Sequence, residues 1–233
     1  MKPTVVLVHG AFAESASWNG VIGRLQAVGH RVVAAGNPLR SLSGDAAVVS
    51  SILDTIDEPA VLVGHSYGGA VVSNAAVGHD NVKVLVFVAA FAPERGESIA
   101  ELSSRFPGGT LGDNLHEVPL PDGSMDLYIR QDNFHKQFAA DLPAEQAALG
   151  AATQRPLNTV ALNEGSGEPA WKTVPSWFIY PELDFNIPRE AHRFMAERAG
   201  ARASIELPGA SHAIPASQPE AIAQWIEIAA KSI

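Results

Sequence analysis

Three residue types that together make a nucleophile are present in an order that suits them. Ser66 stands in Gly64-His65-Ser66-Tyr67-Gly68, with glycines two before and two after it. This is the pattern of a sharp strand-to-helix turn, in which missing Cβ atoms let strand and helix crowd together and lift the hydroxyl into an open cleft. A serine hydroxyl attacks only with a base beside it, and the base needs an acceptor on its other nitrogen. His212, in Pro208-Gly209-Ala210-Ser211-His212, and Asp184, in Tyr180-Pro181-Glu182-Leu183-Asp184, follow downstream in loops after apolar runs. The expected chemistry is acyl transfer through Ser66, with His212 as base and Asp184 as acid. Glu182, two residues from Asp184, is the rival acid.

The oxyanion of such a reaction is held by backbone N–H groups. Tyr67, directly after the serine, supplies one, and the glycine turn at His9-Gly10 supplies the second from Ala11 or Phe12. Of the other histidines, His30, His79, His116, His135 and His192 read as surface or lid residues. His9 and His65 each adjoin a glycine at a strand end and read as structural hydrogen-bonding groups. No His/Asp/Glu spacing suggests a metal site, and no cofactor loop is present.

Composition narrows the partners. The 233 residues fit one domain spanning 1–233, and 46% hydrophobic content can fill its core. A formal net charge of -9 without a Lys/Arg cluster argues against nucleic acid and anionic membranes and for a small neutral substrate. The chain has no cysteine, which excludes disulfides and thiolate chemistry. Thr4 to Val8 is too short for a signal-peptide core, and no run approaches a membrane span, so a cytoplasmic protein is expected, with homodimerisation left open.

The elements that must position these residues alternate. Strands are expected at Thr4–Val8, Arg31–Ala35, Ala60–Val63 and Val82–Ala90, with helices near Trp18–Val28 and Asp45–Ile56 and another after Ser66. Alternation resumes with strands at Ser176–Tyr180 and Ala203–Leu207 and helices at Pro188–Ala199 and Pro219–Ala230. This is an α/β pattern with a six-stranded, mainly parallel sheet. Between about 91 and 170 it breaks into short helical pieces near Ser98–Phe106, Gln131–Ala140 and Pro143–Thr153, an insertion placed to act as a lid. Its bulky members Phe106, Leu127, Tyr128, Phe134 and Phe138 are expected to face the cleft. Candidate substrate-binding residues are Phe12, Trp18, Phe91, Tyr128, Phe134 and Phe138.

With those residues assembled, the chain resembles the α/β-hydrolase superfamily, and within it the branch of plant methylesterases, hydroxynitrile lyases and their bacterial relatives. The resemblance rests on VLVHGA at Val6–Ala11, Ser17-Trp18, GHRVVA, GHSYGG, VFVAAFAP, the Asp184–Pro188 loop and GASH at Gly209–His212. It implies an α/β-hydrolase fold with a helical lid, no cofactor, Ser66, His212 and Asp184 as the catalytic set, and the amides of Ala11 and Tyr67 as the oxyanion hole. It implies a serine esterase acting on small to medium apolar carboxylic esters or lactones. The alternatives are a C–C lyase on cyanohydrins and a catalytically weak binding protein. The lyase pattern has threonine at the position of Gly10 and lysine at that of Ala213, and both are absent. Phe12-Ala13-Glu14-Ser15-Ala16 replaces a stretch rich in Cys, His and Gly in the plant proteins, so the pocket wall differs there.

Overall fold

The computed structural model describes residues 2–233. In chain order it contains β1 (Thr4–Val8), α1 (Asn19–Ala27), β2 (Val32–Ala35), α2 (Leu42–Leu53), β3 (Ala60–His65), α3 (Tyr67–Ala75) and β4 (Val82–Val88). The insertion follows, with α4 (Ile99–Ser104), β5 (Leu115–Pro119), β6 (Met125–Ile129), α5 (Gln131–Phe138), α6 (Ala144–Thr153), β7 (Leu157–Asn158) and α7 (Thr159–Asn163). The chain ends with β8 (Ser176–Pro181), α8 (Arg189–Arg198), β9 (Ala203–Leu207), α9 (Ile214–Ser217) and α10 (Pro219–Ala230).

The main sheet has the order β2-β1-β3-β4-β8-β9, and every pairing in it is parallel. Side chains alternate between its two faces with the period of a strand. Val6, Val8, Leu62, Leu85, Phe87 and Phe178 face the layer that includes α2, α3 and the insertion. Val5, Leu7, Val61, Val63, Val84, Val86, Trp177 and Ile179 face α1 and α10. The chain leaves β1 toward β2 and returns past it to β3, so the carboxyl ends of β1 and β3 flank the switch point where α/β sheets place their ligand sites. His9-Gly10-Ala11 and His65-Ser66 lie there.

The insertion departs from expectation. Besides the three expected helices it carries a fourth, α7, and an antiparallel sheet, β5-β6-β7, with Leu115 opposite Ile129 and Leu127 opposite Leu157. Its hairpin turns at Pro121-Asp122-Gly123-Ser124, where Gly123 adopts φ 86° and Leu120 and Ser124 close the loop by a 2.8 Å backbone hydrogen bond. The turn residues were visible in the sequence, but the strands are short and half exposed, and so lack a clear apolar alternation.

The turn at Ser66 depends on close backbone approach. Ser66 has φ 53° and ψ -124°, a conformation that non-glycine residues rarely hold. A Cβ on Gly64 would lie 2.5 Å from the Gly68 carbonyl oxygen, and one on Gly68 would lie 2.5 Å from that of Val8. Gly64→Ala and Gly68→Ala should each cost about 3 kcal/mol, since backbone rather than a flexible side chain must give way. Gly23→Ala, in open space within α1, should be neutral or slightly stabilising. Urea unfolding midpoints of the three variants check the contrast, and equal midpoints would contradict it.

Candidate active site

Ser66 caps the junction of β3 and α3 and is held by its own backbone. Its N–H donates to the Val88 carbonyl at 3.2 Å, and its carbonyl accepts from Gly69 at 3.0 Å and Phe91 at 3.1 Å. Backbone strain gathers around it: Phe12 at φ 60° and Ala89 at φ 45° are also left-handed. His212, in the loop after β9, approaches the Ser66 Oγ with its Nε2 at 2.9 Å. Its Nδ1 lies 2.7 Å from Asp184 Oδ2. Ser66, Asp184 and His212 are each buried. The structure therefore brings together the three residues singled out in the sequence.

Asp184 receives four hydrogen bonds. Oδ1 accepts the N–H groups of Asn186 at 2.8 Å and Ile187 at 2.9 Å, and Oδ2 accepts from His212 and from His192 Nε2 at 3.1 Å. Burial by itself pushes this carboxyl up, but the adjacent His212 and the hydrogen bonds from His192 and His212 outweigh it and hold the acid below the usual carboxylate range. Glu182 is turned away, accepting from the Gly209 N–H at 2.9 Å and pairing with Arg189 at 3.0 Å.

The two turns flanking Ser66 are braced as expected of His9 and His65. His9 Nδ1 bonds the Gly10 carbonyl at 2.9 Å and its Nε2 accepts the Asn37 N–H at 3.1 Å. His65 Nε2 lies 3.0 Å from the His212 carbonyl, and the two rings are 4.9 Å apart. Burial drives both imidazoles down, His9 to about 4 and His65 to about 3.

The structure distinguishes the amides of Ala11, the one the resemblance implies, and Phe12. The Phe12 N–H is used by the Arg155 carbonyl at 2.9 Å. The Ala11 and Tyr67 N–H groups have no acceptor among the described residues. Tyr67 opens α3, where helix geometry leaves the first N–H groups free. Its ring points away, and the phenol donates to Asp45 Oδ2 at 2.8 Å. A Cβ on Gly10 would sit 2.6 Å from Ser66 Cβ, so glycine leaves the approach to the nucleophile clear.

Only half of the expected pocket residues line the neighbouring cavity. A cavity of about 250 Å³ is bounded by Phe12, Phe134 and Phe138 together with His65, Ala147 and Ala213. Phe138 packs edge-on against His212 at 5.0 Å and stacks on Phe134 at 5.0 Å, so its ring borders both the cavity and His212. Trp18 is fully buried on the opposite face of the sheet with α10. Phe91 is in the core, where its backbone braces Ser66. Tyr128 lines a separate surface depression with His116 and Arg130. Phe106 packs on Phe194 at 5.4 Å, and Leu127 is buried in the core. In each case the residue type suited a pocket, but the face it occupies was set by tertiary packing.

Two of the histidines expected at the surface are buried. His30 bonds the Pro3 carbonyl at 2.8 Å and pairs with Glu227. His192 reaches Asp184, and its position eight residues beyond the acid, one turn into α8, is the signal that could have found it. Sequence also did not reveal that the insertion holds the His212 loop. The Phe138 carbonyl accepts the Ala213 N–H at 3.0 Å, and the Ser211 hydroxyl donates to Asp141.

Comparison with known proteins follows this geometry. The profile of the alpha/beta hydrolase family matches residues 5–225. The chain belongs to that family. This α/β-hydrolase chain is 28% identical to methylesterase 2 of Arabidopsis thaliana, over 91% of its own length and 89% of that protein's. It is 27% identical to a pyrethroid hydrolase of Sphingobium wenxiniae, over 95% and 85% of the two chains. Among solved structures, polyneuridine aldehyde esterase superposes with a TM-score of 0.85 at 20% identity, covering 98% of this chain and 99% of that one. That likeness concerns the fold. No helix among the described residues is long and apolar enough to cross a membrane.

Burial of the histidines sets a pH dependence of stability. His9, His65 and His192 have folded values lowered below the ordinary 6.5, so the unfolded chain binds protons there that the folded chain does not. Each group then removes about 1.4 kcal/mol of stability per pH unit as pH falls from 6.5 toward its folded value. Urea midpoints should drop between pH 6.5 and 5, before ordinary carboxylates titrate; a flat profile across that range would contradict the neutral buried rings.

Proposed function

We propose that this hydrolase cleaves carboxylic esters through an acyl-enzyme on Ser66. The observation that carries the reading is the continuous relay from Asp184 Oδ2 through the His212 ring to Ser66 Oγ, at 2.7 and 2.9 Å, beside two free amides. The named activities of the methylesterase and the pyrethroid hydrolase favour the same reaction class.

The steps follow from the donors and acceptors. Ser66 Oγ attacks the ester carbonyl carbon while His212 Nε2 takes the hydroxyl proton, and Asp184 offsets the charge that develops on the ring. The carbonyl oxygen becomes an oxyanion held by the Ala11 and Tyr67 N–H groups. Collapse breaks the C–O bond to the alcohol, which leaves with the proton from His212. Water then attacks the acyl carbon as His212 takes its proton, the bond from that carbon to Ser66 Oγ breaks, and the proton passes from His212 to Oγ as the carboxylic acid leaves.

The apolar cavity beside Phe138 suits small to medium esters or lactones of modest polarity. The insertion acts as lid, with Phe138 and Phe134 forming the surface that meets the acyl group. A lyase reading lacks the hydroxyl at Gly10 and the cation at Ala213, and this backbone leaves no room for a Cβ at Gly10.

Ser66→Ala should fold normally by circular dichroism yet lose p-nitrophenyl butyrate turnover by roughly a millionfold, the scale seen when a triad nucleophile is removed. Asp184→Asn should lose about 10⁴-fold, whereas Glu182→Gln should change little. Covalent labelling of Ser66 by a fluorophosphonate accompanies the assay, and mandelonitrile should release no cyanide above background. Full turnover in folded Ser66→Ala, or the reverse ranking of the two acids, contradicts the assignment.

Phe134→Ala and Phe138→Ala should shift the preferred chain length toward longer acyl groups across an acetate-to-decanoate series, because each removes an aromatic wall from the cavity. Unchanged relative rates across the series would exclude that wall from substrate contact.

A further inference from the structure

We infer that His192 is a positioning residue for the acid: its Nε2–H shares Asp184 Oδ2 with His212 and fixes the carboxylate in the orientation the base requires. The inference rests on the reading of Ser66, His212 and Asp184 given above.

His192 lies on α8, which begins directly after Pro188, and its side chain points back along the helix toward the Asp184 loop. It is fully buried, with Nε2 3.1 Å from Asp184 Oδ2. An ionised carboxylate only accepts, so this nitrogen carries the proton. Nδ1 is buried with no partner among the described residues. Protonating it would bury an unsatisfied N–H, which keeps the ring neutral in a single tautomer. The face of the ring stacks on Tyr180 at 5.1 Å with an interplanar angle of 11°.

The consequence is a carboxylate that cannot turn. Oδ1 is tied by two backbone amides and Oδ2 by two imidazoles on different elements. As His212 becomes charged, its bond to Oδ2 strengthens, and the His192 bond keeps that oxygen from following it out of register. Sharing also draws charge from Oδ2 and lowers its pull on the His212 proton. Other groups facing this pair are Tyr180 from β8, His65 at the end of β3, and Glu206 from β9. Glu206 is compensated by Arg189 and Arg193 at 3.0 Å each.

His192→Phe keeps the ring volume and the Tyr180 stack but removes the donor. Its kcat should fall about ten- to thirtyfold with KM unchanged, well short of the ~10⁴ expected for loss of the acid. The acid limb of kcat/KM should move to higher pH by about half a unit, since an unshared Oδ2 holds the proton on the base more tightly. His192→Gln, which retains an N–H donor on a side chain of similar reach, should restore both quantities to within about threefold of the parent. In the unsubstituted protein, nitrogen-15 histidine spectra should show His192 as the Nε2–H tautomer, without titration from pH 5 to 8. These spectra decide the matter even if His192→Phe fails to fold.

A titrating or Nδ1–H His192, or a folded His192→Phe with parental kcat and acid limb, would overturn the inference. Asp184→Asn with full turnover would instead overturn the catalytic reading on which it rests, so the two failures are distinguishable.

Discussion

A carboxylate taken wholly out of water must find its compensation inside the protein, and much of the site's construction serves Asp184. Loss of hydration costs an isolated ion several kcal/mol even after relaxation, so every lone pair of such a group needs a donor. The loop after β8 turns back to present the Asn186 and Ile187 amides, α8 starts where it can deliver His192, and the loop after β9 delivers His212. Removing any one donor leaves buried charge uncovered, and this binds three separate segments into one arrangement. The ionised acid in turn fixes the His212 tautomer, with Nδ1 protonated and Nε2 free to receive the serine proton.

A second constraint is space. Gly64 and Gly68 allow β3, α3 and the end of β1 to meet at backbone contact, and that crowding holds Ser66 in its left-handed conformation. The same contact brings the Ala11 and Tyr67 amides to the one edge of the sheet where Ser66 emerges. Neutral, buried His9 and His65 stiffen the two turns by hydrogen bonds to the backbone carbonyls of Gly10 and His212. The geometry around Ser66 is thus held by polar groups that burial keeps neutral.

The insertion is tied to the chemistry through the backbone of Phe138. Its carbonyl anchors the Ala213 amide, and the neighbouring Ser211–Asp141 contact adds a side-chain link, while its ring walls the cavity. One residue therefore connects the position of the insertion, the shape of the cavity and the seat of the His212 loop.

Much of this was readable in the residues themselves. The order Ser66, Asp184, His212, the glycines of the turn and the alternation of apolar runs specify an α/β sheet with a nucleophile at its carboxyl edge, because these are local signals: a tight turn needs glycine, and a parallel strand needs a continuous apolar run. Tertiary structure alone decided which side of a layer each bulky residue took. Trp18, Phe91 and Tyr128 have the chemistry of pocket residues, yet packing sends the first to the opposite face of the sheet, the second into the core and the third to the outside of the insertion. Local spacing left Ala11 and Phe12 equivalent, and the carbonyl that occupies the Phe12 amide comes from Arg155, more than a hundred residues away. The same is true of His192, whose partner is defined by where α8 begins in space. Periodicity and turn chemistry are written along the chain, whereas burial and pairing between distant segments exist only once the chain has folded.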